Sequence, residues 1–486
     1  MGRTQCSIIF VLASIATVMI SSPANTELKP SDNHDAVLTL KPQDVRQTIE
    51  GFGASGAWWA QIVGGWPPAK RSEIIDLLYD QSGIALTIYR HNIGAGSGRE
   101  IRDPWRRAES FEIEPGTYDW TRDKNAMRVL REVCDLGVDR VILFANSPPL
   151  RMTKSGYAFA SGRSDEKSNL REDMYEAYAD YLVDIAEHFT VQEKIPVHGI
   201  SPINEPQWDW DKNNQEGCHY EPQEAARLLE VLLKKIKQRS LLVKVEAPEN
   251  GSWEKVQDLQ SSRWDKAPIY LKTLMANPNI RKNLDGYAIH SYWADRAQKK
   301  AFAEYFFKQY PDLKLHMTEW CEMKRGRDYG MDSALNLARE IMDDLIQGNV
   351  STWQYWIAVS RYNFRDGLIY VEDADQNIIP IKRLWAMGNF SRFIRPGYRR
   401  IELNHNSRTC QFLACQSPDR KTIVVVALNP GSKTEKVTLQ LACDNTQLKY
   451  NAYETSTAHD LKCVQDNLTD DYYTFPPQSI TTLVFK

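Results

Sequence analysis

The sequence predicts an α/β fold: a (β/α)8 (TIM) barrel with an appended small antiparallel β-sandwich domain. Three observations predict it. Eight short apolar runs alternate with amphipathic helical patterns, which is the count a closed barrel of this kind requires. Beyond Pro396 the helical period disappears, and alternating or β-branched runs separated by turn residues replace it. The chain of 486 residues is long enough for one large barrel and an appendage, and it contains no internal repeat.

In chain order, residues 1–24 read as a signal peptide. Arg3 precedes an unbroken small and apolar run from Cys6 to Ile20, and Ser22-Pro23-Ala24 supplies small residues for cleavage. That run is shorter than the roughly 20 residues of a membrane span, so no stable membrane span is expected. Residues 25–48 are an N-terminal segment whose pattern at 36–40 suits a strand joining the β-domain. The barrel takes 49–396. Its strands are expected at 49–60, 85–93, 140–147, 197–206, 243–248, 286–293, 313–320 and 351–358, with helices among them at 124–136, 173–189, 222–237, 331–346 and 383–393. A doubly wound open sheet would want a glycine-rich phosphate loop, and the nearest stretch, 94–98, is not G-x-G-x-x-G. Residues 397–486 form the β-sandwich, with strands expected at 422–428, 436–441, 448–454 and 480–485.

Sixty basic residues against 63 acidic give a net charge of −3, which argues against a nucleic-acid partner. Removing the signal leaves seven cysteines, an odd number. Cys410, Cys415, Cys443 and Cys463 cluster in the β-domain, where one or two disulfides are plausible. None forms a CxxC pair or sits beside a histidine at zinc spacing, so neither a metal nor a cofactor is expected. The signal implies a secreted protein, extracellular or, in a bacterium, periplasmic.

Chemistry in such a barrel belongs at the C-terminal ends of its strands. Trp58 and Trp59 stand there on strand 1, and Arg90, His91 and Asn92 on strand 2. Strand 3 brings Asn146 and Ser147, and strand 4 Asn204-Glu205-Pro206, followed by Trp208 and Trp210. Trp253 follows strand 5. Strand 6 ends in His290, Tyr292 and Trp293, strand 7 in Thr318-Glu319-Trp320, and strand 8 carries Trp353 and Trp356. Nine of the 14 tryptophans therefore fall on or just after strand ends. Ordinary core packing would scatter them over the helices as well.

Two glutamates on strand ends point to glycoside hydrolysis, in which one carboxyl protonates the leaving oxygen and a second attacks or activates water. Glu205 closes an apolar strand, where burial and a negative neighbour would raise its pKa as an acid requires. Glu319 needs to stay ionised, and Arg90 and Tyr292 are the residues to hold it so. On residue type alone, Arg90 serves as well in a structural salt bridge, and His290 as a satisfied core histidine.

Asn204-Glu205-Pro206 and Glu319 resemble the acid/base and nucleophile of clan A glycoside hydrolases. Several segments are similar, more narrowly, to glycoside hydrolase family 30. They are Glu50-Gly51-Phe52-Gly53, Tyr89-Arg90-His91-Asn92-Ile93-Gly94, Ser147-Pro148-Pro149 with Met152 and Gly156, Phe390 to Gly397, and Pro477 to Thr482. The resemblance implies a retaining mechanism with Glu205 as general acid/base and Glu319 as nucleophile. It also implies that Asn204 meets the sugar 2-hydroxyl, Arg90 braces Glu319, Tyr292 or His290 lines the −1 subsite, and Trp356 is a sugar platform. Asn146 before Ser-Pro-Pro, with Trp58-Trp59 and Asn214 to Cys218, most resembles the endo-β-1,6-galactanase branch. Asn92, Trp59 and Trp208 complete the expected substrate-binding set. Trp320-Cys321-Glu322-Met323 departs from that branch, which leaves xylan, β-1,6-glucan or a glucosylceramidase-like substrate as alternatives. The expected partner is a polysaccharide or oligosaccharide. A secreted glycan-binding protein without activity is the reading from another class, and the presence of both glutamates disfavours it.

Overall fold

A computed structural model describes residues 35–161, 168–256, 269–442 and 449–486. The signal-peptide reading of 1–24, the first ten residues of the 25–48 segment and Cys443 lie outside the described residues. Eight parallel strands close the barrel: β1 (Gly51–Ser55), β2 (Ile88–Ile93), β3 (Arg140–Ala145), β4 (Val197–Ser201), β5 (Lys244–Asn250), β6 (Leu284–His290), β7 (Leu315–Glu319) and β8 (Thr352–Tyr355). Each pairs with its sequence neighbours, and β8 closes on β1 through Trp353 against Phe52 and Tyr355 against Ala54. Strands in this setting are covered on both faces, which is why Val141-Ile142-Leu143-Phe144 runs apolar without alternation and is fully buried. The first strand is glycine-rich because its neighbour presses on it. A Cβ at Gly53 would stand 2.6 Å from the Ile88 carbonyl oxygen.

The outer helices present one apolar stripe inward. Tyr178, Tyr181, Leu182, Ile185 and Phe189 of the helix Tyr175–Val191 recur at helical spacing and are buried. The helix Pro222–Gln238 starts with proline at its first turn and a reciprocal capping box between Glu221 and Glu224. That start fixes where the long loop after β4 ends.

The β-domain is one nine-stranded sheet folded over its own core. It includes the strand Ala36–Thr48, which lies between Arg399–His405 and Glu435–Leu441. The expected sheet is wholly antiparallel, whereas Ala36–Leu40 runs parallel to Val437–Leu441. The chain crosses into the barrel between these strands, so they are not joined by a hairpin. The sheet has two apolar faces. Phe412, Ala414, Val425, Ala427 and Leu483 enter the sandwich core, while Leu413, Cys415, Val424, Val426 and Ile480 join the barrel core. The described cysteines Cys410, Cys415 and Cys463 are free thiols, against the disulfides the clustering predicts. Two of them are buried and serve as small apolar side chains. Among the described residues no helix is long and apolar enough to cross a membrane.

Candidate active site

Side chains alternate along a strand, so Arg90 and Asn92 of β2 share the inner face of the barrel while His91 points outward onto Phe189. Burial drives His91 down to about 3, leaving it neutral and structural. Arg90 is fully buried, with its guanidinium carbon 3.9 Å from the centre of the Phe144 ring. It donates from one terminal nitrogen to Glu319 Oε2 at 2.7 Å and from the other to Asn204 Oδ1 at 2.9 Å. It therefore joins the ends of β4 and β7.

Glu205 takes a left-handed backbone conformation, φ 42°, just past β4. Its N–H donates to the Glu249 carbonyl at 3.0 Å, and its own carbonyl accepts from the Trp210 indole at 3.0 Å. These bonds hold a conformation that a glutamate otherwise avoids. The carboxyl turns toward His290, whose Nδ1 lies 3.2 Å from Glu205 Oε1 and 3.6 Å from Glu319 Oε1. The Tyr292 hydroxyl donates to Glu319 Oε1 at 3.1 Å. One carboxylate oxygen of Glu205, one of Glu319 and a nitrogen of His290 all lie within 4.8 Å of one another. Asn146 donates to Asn92 at 3.0 Å, and its own Oδ1 is buried with no hydrogen-bond partner among the described residues.

A third carboxylate, absent from the sequence-based set, completes the charge pattern. Glu249 of β5 is wholly buried, 3.0 Å from His290 Nε2 and 3.5 Å from Arg90, and it accepts from Ser201 at 2.7 Å and from Thr318. Burial pushes its carboxyl up, but Arg90, His290 and Thr318 outweigh burial and bring it to about 2. His290 shows the converse. Burial lowers it, and Glu319, Glu205 and Glu249 together raise it to about 9, so its ring is a cation with both N–H groups donating. The carboxyl of Glu319 is raised above the usual carboxylate range. Burial is the largest influence, His290 and Arg90 oppose it, and the nearby Glu205 adds to the rise.

The aromatic residues divide into two kinds. Trp59 is a correction: it is fully buried, its indole donates to the Ser55 carbonyl at 2.9 Å, and it has no surface to offer a ligand. Trp253 and Trp353 are core residues as well, their indoles satisfied by Ser291 and Asp344. Indoles satisfied inside the fold explain why strand-end position alone overstates the wall of the cleft. Trp58 and Trp356 meet edge to face at 5.0 Å, with Tyr362 and Arg106 also against Trp58. Trp208 is half-buried and meets Trp293 at 5.9 Å.

Beside Glu205, Gln207 accepts from the Gly251 N–H at 2.9 Å and from the Trp208 indole at 3.1 Å. The signal for Glu249 was present in the sequence. Ala247-Pro248-Glu249 places a proline-flanked glutamate at a strand end, as Asn204-Glu205-Pro206 does, but the fifth strand read from sequence ends at 248, two residues before β5 does. Among the described residues, two carboxylate–histidine groups have the ligand types of a metal site: the one around His290, and Glu50, Asp285 and His316 at the opposite end of the barrel. Carboxylates hold both histidines at about 9 against burial.

The family model described as O-Glycosyl hydrolase family 30 matches residues 35–370. The chain is 26% identical over 305 residues to an endo-beta-1,6-galactanase of Hypocrea rufa, a match spanning 57% of this chain and 60% of that protein's length. It is 25% identical over 500 residues to a glucuronoxylanase of Bacillus subtilis, covering 100% of this chain and 98% of that one. A conserved exported protein from Bacteroides fragilis, of known structure, superposes with a TM-score of 0.82 at 28% identity, over 92% of this chain and 100% of that one.

Proposed function

Because the chain belongs to O-glycosyl hydrolase family 30 and is a glycoside hydrolase, we propose that it cleaves a β-linked polysaccharide with retention, Glu205 serving as acid/base and Glu319 as nucleophile. The observation that carries this reading is the facing pair of carboxyls, with oxygens within 4.8 Å, one of them bound by Arg90. Retaining glycosidases need carboxyl groups about 5–5.5 Å apart, whereas inverting ones need about 6.5–9.5 Å to admit a water. The separation therefore supports double displacement.

In the first step the Glu319 carboxylate attacks the anomeric carbon as the bond to the leaving oxygen breaks, and Glu205 gives that oxygen its proton. The His290 cation donates to Glu205 Oε1, which leaves Oε2 to carry the proton. Arg90 and Tyr292 favour the ionised form of Glu319 and hold its carboxylate in line for attack. In the second step Glu205 takes a proton from water, the water oxygen attacks the same carbon, and the ester to Glu319 breaks. Asn204, its oxygen bound to Arg90, keeps its amide N–H groups for the sugar 2-hydroxyl. Asn92 and Asn146, with the unpartnered Asn146 Oδ1, are further polar contacts, and Trp58, Trp208 and Trp356 are the apolar ones.

The substrate we favour is β-1,6-linked galactan, attacked within the chain, and export through the N-terminal segment would bring the enzyme to it. The galactanase match and the Asn146-Ser147-Pro148-Pro149 stretch support that choice. Xylan is the second reading, because the glucuronoxylanase aligns over the full chain. A panel of β-1,6-galactan, xylan and β-1,6-glucan with product sizing tests both. Glu205→Gln and Glu319→Gln should each remove nearly all turnover of the preferred polymer. Either variant keeping most of its activity would overturn the assignment.

A further inference from the structure

Six of the strand-end tryptophans, Trp58, Trp59, Trp253, Trp320, Trp353 and Trp356, are buried, but Trp293 leaves 64% of its surface open. It stands just past β6, with φ 57°, a left-handed backbone conformation that a bulky aromatic residue rarely adopts. An uncovered indole on a strained backbone beside a reaction centre is an outlier that packing does not explain.

Its surroundings say which part of the cleft it faces. On one side its ring lies 5.5 Å from that of Tyr292, whose hydroxyl holds Glu319. On the other it meets Trp208 edge to face at 5.9 Å and 86°. Trp208 is on the loop of Glu205, three residues on, and its backbone N–H closes a turn on the Glu205 carbonyl at 3.2 Å. Gln207 pins the Trp208 indole to Gly251, where an added Cβ would stand 2.7 Å from Glu205 Oε1. The Trp208 indole thus belongs to the loop of the residue that would give its proton to the leaving oxygen, and Trp293 packs against it. An edge-to-face pair leaves the broad face of one ring unstacked, the shape that receives the C–H face of a pyranose.

We propose that Trp293, braced by Trp208, is the stacking platform for the sugar on the leaving-group side of the scissile bond, so the enzyme is built for a substrate that continues past the cleaved linkage. This rests on Glu205 as the proton donor. Contacts to parts of a substrate that do not react lower the barrel's transition state only when those parts are present.

The test compares Trp293→Ala with wild type on soluble β-1,6-galactan and on an aryl β-galactoside, whose leaving group carries no sugar. The ratio of kcat/KM for polymer to kcat/KM for aryl glycoside should fall about tenfold or more in the variant, the loss of one well-packed aromatic anchor. Trp293→Phe should recover most of the ratio. A parallel fall on both substrates would mark a structural role and overturn the proposal, as would an unchanged ratio. The failure of the substrate reading looks different. A wild type idle on galactan but active on xylan or β-1,6-glucan refutes galactan, and the same ratio on that polymer and its aryl glycoside then judges Trp293. A wild type that turns over aryl glycosides and no polymer overturns the platform.

Discussion

Gly251→Ala would move the Glu205 carboxyl without touching the residue itself. Gly251 follows β5, and a Cβ built on it stands 2.7 Å from Glu205 Oε1, 2.2 Å from the Gln207 side-chain amide and 3.2 Å from the Trp208 indole nitrogen. All three contacts are with side-chain ends, so the backbone is not forced to move. Ordinary contact begins near 3.4 Å, which requires the carboxyl to retreat by about 0.7 Å. That displacement disturbs the 3.2 Å bond to His290 and shifts the carboxyl from its place as proton donor. A misplacement of about 1 Å costs on the order of 100-fold in rate, so kcat should fall between about 10-fold and 100-fold. Overpacking a rigid core costs about 1–3 kcal/mol, and here movable side chains should hold the loss to the low end. The assay is kcat on the preferred polymer beside a urea melt of the same preparation. A variant within twofold of wild-type kcat would refute the reasoning, because the added methyl would then sit beside Glu205 without displacing it.

Glu249→Gln should be costly to stability as well as to activity. The carboxyl lies at about 2 where an ordinary glutamate lies at 4.5, a difference worth about 3 kcal/mol to the ionised form. A carboxyl with a lowered folded pKa stabilises above its unfolded value and loses that contribution as pH falls through the folded one. Urea melts should therefore show the gap between variant and wild type full at pH 7 and shrinking as pH drops from 4.5 toward 2. A constant gap across that range would contradict the charge argument. At the other end of the barrel, Glu246 and Glu50 raise His316 to about 9 against burial. Its contribution is full below 6.5 and is lost as pH rises through 9. His316→Gln should flatten part of the alkaline fall in melting temperature while kcat at pH 6 holds, and an unaltered alkaline fall would contradict it.

The barrel was legible because each strand carries its own signal. Runs such as Val141 to Ala145 are apolar throughout, and the helices between them show a clear stripe. Glu205 and Glu319 were legible for a related reason: a carboxylate at the end of an apolar strand is costly without a purpose. What the sequence hid depends on distance in space. Glu249 acts through Arg90 and His290, which are 159 and 41 residues away along the chain, and only the closed barrel brings them together. Trp59 misled because its position matches that of Trp58, while its side chain turns into the core to reach Ser55. The parallel pairing of Ala36–Leu40 was hidden because a strand's pattern specifies which face is apolar and not the direction of its partner.

Double displacement requires a covalent bond between Glu319 and the sugar. Its most direct test is to incubate the enzyme with a 2-deoxy-2-fluoro β-glycoside of the sugar it prefers, which slows release, and to map the labelled peptide by mass spectrometry. Double displacement requires one added glycosyl group, carried on Glu319. A label on any other residue, or an unlabelled enzyme that releases the inverted anomer from its polymer, would contradict it.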